Sequence, residues 1–145
     1  MEINGLPAHA LLVHLVVVLL PLTAVAAVVI SVWPAAQRKL TFLVPLGAIL
    51  GAAAVPITTK AGEELAQKIG NPPFIARHEN FGDQVLPWAV AMAVTTLAQW
   101  LYLRRGTATV PRAVLGLLVV ASAIGTATIV VLTGDSGAQA VWGNS

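Results

Sequence analysis

From Ala8 to Val32 the chain carries no charged side chain. Only His9, His14, Pro21, Thr23 and Ser31 interrupt the apolar run. A hydrocarbon core about 30 Å thick needs roughly 20 apolar residues of helix to cross it. This stretch is long enough to do so, and no aqueous fold hides such a segment cheaply. Three further stretches qualify: Leu40 to Thr59, Val85 to Leu103 and Ala113 to Thr133. Composition agrees. Hydrophobic residues make up 57% and charged residues 10% of the chain, against about 45–50% and about 25% in soluble proteins. The expected fold is an all-α membrane protein, one four-helix transmembrane domain over residues 1–145 with spans at about 8–32, 40–59, 85–103 and 113–133.

A signal peptide is the competing account of the first span. Signals carry a basic leader and a short apolar region ending at a small-residue cleavage site. Here Glu2 is the only charged side chain ahead of a much longer run, so the segment is expected to stay as a span.

The few charges orient the chain. Arg38 and Lys39 lie in the first connection, and Arg104, Arg105 and Arg112 in the third, with no acid beside them. All six acids fall in the N-terminus, the second connection and the C-terminal tail. Lys and Arg near span ends favour the cytoplasm. The expectation is a multi-pass bacterial cell-membrane protein with both termini and the 60–84 loop extracytoplasmic. Trp33 and Trp100 would then sit at the inner boundary, and Trp88 and Trp142 at the outer one. The net charge of +2 forms no basic stripe with interleaved aromatics, so nucleic acid is not an expected partner. The lipid bilayer is, with a homo-oligomer or a larger membrane complex as further candidates.

Gly47 and Gly51, four apart in "GAILG", form a small-xxx-small face that lets helices approach closely. Gly125 with Ala121 repeats the spacing in the fourth span. Pro21, Pro45 and Pro56 each free a backbone carbonyl and are expected to bend their helices. In the outer loop, "AGEELAQKIGNPP" reads as a short amphipathic extension of the second span. Glu64 and Lys68 pair at i,i+4 there, and Gly70 and Asn71 form a stop before Pro72 and Pro73.

All the histidines and acids collect on the side assigned as outer. His14 lies within the apolar run, where ionisable groups usually face the bundle interior with a partner. His9 sits nearer the headgroups. The two are about 140° apart around a helix and about 7.5 Å apart along it, so a shared site must recruit another segment. His78, with Glu79 and Asp83, is the candidate segment; Glu63, Asp83 and Asp135 are candidate additional metal ligands. No Walker loop, dinucleotide fingerprint, His-Glu-x-x-His or nucleophile elbow is present, which points away from enzymatic turnover. The candidate cofactors are one b-type haem, with His14 and a second ligand such as His78, or a metal ion held by imidazoles and carboxylates.

Four segments carry a family resemblance: "GLPAHALLVH" at Gly5 to His14, "VPITTKAGEEL" at Val55 to Leu65, "RHENFGDQVLPWA" at Arg77 to Ala89, and "GDSGAQAVW" at Gly134 to Trp142. The chain resembles the small bacterial membrane proteins grouped as domain of unknown function 2231, especially their actinobacterial branch. The resemblance implies a four-helix membrane protein and supplies no activity. Relatives often carry proline after the first histidine and Phe-Pro after the second, where this chain has Ala10, Leu15 and Val16. Many place a histidine at the position of Asp135.

Three readings of function follow. One is a haem- or metal-binding redox protein using His14, His78 and His9. Another is a proton or ion conduit through Thr58, Thr59 and Thr126, with Gln99 the strongest polar candidate in the inner half. The third is a structural or assembly subunit of a membrane complex, supported by small size and glycine faces.

Overall fold

The computed structural model describes residues 2–40 and 42–143. A two-residue antiparallel ribbon, β1 (Glu2–Ile3) with β2 (Leu6–Pro7), precedes the helices. Its turn is Asn4-Gly5, both at positive φ (52° and 80°), the pairing that tight hairpins demand. Then follow α1 (Ala8–Val32), a short α2 (Pro34–Leu40), α3 (Leu43–Lys68), α4 (Ala76–Leu103) and α5 (Thr109–Trp142). The four long helices are each long and apolar enough to cross a membrane.

Three helices outrun the expected boundaries, α5 by running from Thr109 to Trp142, well past Thr133. α3 continues through the charged extension to Lys68, and α4 starts at Ala76 rather than near Val85. The region 60–84 is therefore mostly helix, with only residues 69–75 connecting. Gly70 at φ 85° and Asn71 at φ 50° terminate α3. The Asn71 amide bonds back to the Ala66 carbonyl at 2.8 Å, a left-handed close of the kind glycine makes easy. Pro73 opens a 3₁₀ turn, Pro73–Ile75, that leads into α4. Pro45 falls in the first turn of α3, where no intrahelical N–H bond is lost, so it is no interior break. Pro21, Pro56 and Pro87 are the interior prolines.

The helices form a ring. α1 packs on α3 and α5, and so does α4, while α1 and α4 scarcely meet and occupy opposite corners. Leu20, Met92, Val119, Thr96 and Thr126 are its most completely buried large side chains. Outward positions are as apolar as the core: Val18, Leu22, Val25, Leu117 and Val131 are all more than 60% exposed. That belt suits a lipid solvent.

Close packing relies on small residues. A methyl group on Gly51 would stand 2.4 Å from Leu20 Cδ2, and one on Gly125 2.2 Å from the Trp88 ring. Gly47 lies against Thr23 Oγ1. Buried hydroxyls satisfy themselves on backbone carbonyls, as Thr96 does on Met92 and Thr126 on Ser122. Two hydroxyl contacts tie α4 to α5: the one Thr126 hydroxyl proton is shared between the Ser122 carbonyl and the Trp88 carbonyl, 2.9 Å away, and Thr95 and Ser122 share a bond at 2.9 Å. Such interhelical bonds contribute about 0.6 kcal/mol each on average in membranes.

Candidate functional site

His9 and His78 each lie in the first turn of a long helix, α1 and α4, at the end of the bundle where α3 and α5 finish. These are the opposite corners of the ring, yet the two imidazoles meet. Their centroids are 6.1 Å apart with an interplanar angle of 79°. Both rings are partly buried.

Each ring is fixed in the same way. Nδ1 of His9 donates to the Thr58 carbonyl on α3 at 2.9 Å. Nδ1 of His78 donates to the Thr133 carbonyl on α5, also at 2.9 Å. A carbonyl can only accept, so Nδ1 carries the proton in both rings. In the neutral form the lone pair of each is then at Nε2. Glycines receive the rings. A methyl at Gly62 would stand 2.8 Å from His9 Cε1 and Nδ1, and one at Gly137 3.0 Å from the same two atoms of His78. A methyl at Gly62 would force the His9 ring to move, and one at Gly137 would press the His78 ring back by a few tenths of an ångström.

The structure thus brings together two of the three histidines. His14 does not join them. Its side chain is exposed, and its Nδ1 bonds to the Ala10 carbonyl one turn back on its own helix. The separation of His9 and His14 required a shared site to recruit another segment, and α4 supplies it through His78. The expectation that His14 faces inward with a partner on another helix is corrected.

The carboxylates remain dispersed. Glu63 and Asp83 are exposed and line a shallow groove of about 390 Å³ between α3 and α4, with Pro56, Thr59, Lys60, Gly82 and Leu86. Asp135 is exposed and accepts from Gln139 Nε2 at 2.9 Å. Lys68 reaches Glu2 at 3.5 Å. Among the described residues no three His, Asp or Glu side chains gather closely enough to hold a metal ion. The expected cluster of three histidines with carboxylates is corrected to a pair of imidazoles.

Sequence reasoning assigned no role to Thr133, Gly62 or Gly137, and took Thr58 only as a conduit hydroxyl, not as a backbone acceptor. A signal was available in the repeated Thr-x-x-x-Gly of "TTKAG" and "TGDSG".

Residues 5–145 match the family described as "Predicted membrane protein (DUF2231)", and the chain belongs to that family. Comparison with curated proteins and with solved structures gives no significant match in either.

Proposed function

We propose that this DUF2231 membrane protein holds a transition metal between His9 and His78, as haem iron or as an ion, and serves in electron transfer. We also propose that the histidine-bearing end faces the extracytoplasmic side of the cell membrane. One observation carries the metal reading. Two imidazoles from different helices meet with both Nδ1 protons committed to backbone carbonyls. Ligating histidines commonly anchor their other ring nitrogen in this manner, which fixes the tautomer and makes the free nitrogen a better donor.

The donor set narrows the metal. Calcium and magnesium need oxygen ligands, and structural zinc needs four protein donors. Two imidazoles alone suit a metal with few vacancies. Haem iron is one, since the macrocycle fills its equatorial positions and protein side chains take the axial ones. A low-coordinate copper ion is the other, imidazole being among its preferred ligands. With the ring centroids 6.1 Å apart and both Nδ1 atoms engaged, Nε2 of His9 and Nε2 of His78 would be the donors to a shared metal.

Protein purified in detergent tests the proposal through its absorption spectrum and metal content. A Soret band identifies haem, and stoichiometric copper without that band identifies the ion. Folded protein that is colourless, metal-free and unable to take up either one would defeat the reading.

A further inference from the structure

Counting from the two histidines exposes a second regularity. The buried residues of α1 beyond His9 are Val16, Leu20, Thr23, Ala24, Ala27 and Ile30. Those of α4 beyond His78 are Val85, Ala89, Met92, Ala93, Thr96 and Gln99. Each lies 69 positions after its counterpart, as His78 does after His9. Counting from the acceptor threonines matches six of the nine buried residues of α3 with six of the seven of α5, leaving Pro45, Thr58, Ala66 and Ser122 without a buried counterpart. Val44, Ala48, Gly51, Ala54, Val55 and Ala61 are buried on α3, and Val119, Ala123, Thr126, Ile129, Val130 and Ser136 on α5, each 75 positions later. Thr58 and Gly62 map by that offset onto Thr133 and Gly137.

Helical periodicity alone makes any two core faces similar, but it does not fix where a histidine, its acceptor carbonyl and its glycine fall relative to them. Here all three fall at matching positions in both halves. The hydroxyls follow suit: Thr58 donates to Ala54, and Thr133 to Ile129, the residue 75 beyond Ala54. The packing is consistent with a two-fold arrangement, with α1 and α4 at opposite corners and α3 and α5 between them.

We infer that the bundle is two copies of one helical hairpin, α1–α3 and α4–α5, about a pseudo-two-fold axis along its length, and that the ligand site lies on that axis. The inference rests on the metal reading for its ligand and deepens it. Nε2 of His9 and Nε2 of His78, one equivalent nitrogen from each half, would hold the metal. Gly62 and Gly137 become matched positioning residues, each setting how far its imidazole stands from the axis.

Two measurements on the full chain separate the parts. First, hemin and copper(I) are titrated into metal-free protein and into His9→Gln and His78→Gln. Glutamine can still donate an N–H to the threonine carbonyl but offers no lone-pair nitrogen. The expected result is one equivalent bound per chain, weakened at least tenfold and by similar factors in the two variants, with melting temperatures unchanged. A variant that binds like the wild type while the other loses binding overturns the on-axis site. No binding by the wild type overturns the metal reading and the on-axis site together.

Second, the chain has no cysteine of its own, so spin labels can be placed freely. Val25 and Ile124, on α1 and α5, map onto Val94 and Ile49, on α4 and α3, and all four are exposed. The label distances in V25C/I124C and V94C/I49C are expected to coincide within the label's own spread. Distinct distances overturn the duplication whatever the titration gives.

Discussion

The two ends of the bundle treat the two halves differently. At the histidine end the imidazole seats are paired: each half seats one imidazole on one threonine carbonyl against one glycine. At the arginine end the halves part. α1 reaches α3 through the extra helix Pro34–Leu40, while α4 reaches α5 through residues 104–108 alone. Gln99 Nε2 donates to Ser31 Oγ at 3.1 Å, but the matching positions hold Ile30 and Trp100, which can form no such bond. Arg112 reaches Gln37 Oε1 at 2.9 Å, and Arg104 lies over the Trp100 ring. The difference has a physical sense. A group that must meet its equal across an axis constrains both halves, whereas a connection constrains only its own.

The sharpest way to break this comparison is to ask which end each solvent reaches. Single cysteines at exposed Glu79 and Arg105 are expected to behave oppositely in intact cells: E79C labelled by an impermeant maleimide, R105C labelled only after lysis. The reverse pattern would remove the proposed metal site from the outer face. Next in size is Gly62→Val. Its side chain would collide with the His9 ring, which already closes to 2.8 Å of a methyl at that position. Overpacking of this kind costs about 1–3 kcal/mol, and the ring must leave its carbonyl. Thermal melting should fall and metal loading with it. Gly116→Ala at the other end of α5 meets nothing within 4 Å. It should stabilise by about 0.5 kcal/mol, the usual gain on replacing a helical glycine. Equal losses from the two variants would erase the distinction between the ends.

The four helices were legible because an uncharged run of span length admits few other fates. Their true ends were not. Charge was used to close the spans, but Glu63, Glu64, Arg77 and Glu79 ride on helices that project beyond the apolar run, where charged side chains reach water without disturbing backbone hydrogen bonds. His78 was therefore read as part of a loop when it sits in the first turn of a helix. The inward face of α1 was illegible for another reason. A helix apolar all round has no moment to read, because its lipid-facing side chains are as hydrophobic as its core. His14 looked telling by its depth in the sequence, yet it lies two residues, about 200° of helix, before buried Val16. Depth is written in the linear sequence; facing is not, when both faces are apolar.

Smaller effects sharpen the comparison at the arginine end. Gln99 is 4% exposed and its Oε1 is the one buried side-chain polar atom without a partner among the described residues. An unsatisfied buried acceptor costs about 1–3 kcal/mol. Gln99→Ile installs the side chain type that the first half carries at Ile30, and it removes this acceptor. It also removes the donor to Ser31, whose own hydroxyl proton remains bonded to the Ala27 carbonyl. The variant should gain about 1 kcal/mol in thermal stability with metal loading unchanged.

Arg112→Gln, which shortens the exposed contact with Gln37, should change stability by no more than about 0.5 kcal/mol, the range of ordinary surface substitutions. The Gln37 amide would still donate to the Ile30 carbonyl at 3.1 Å and keep α2 folded back on α1. A loss several times larger on melting would mean that the α2 connection holds the halves together. The arginine end would then share the structural burden that the comparison assigns to the histidine end.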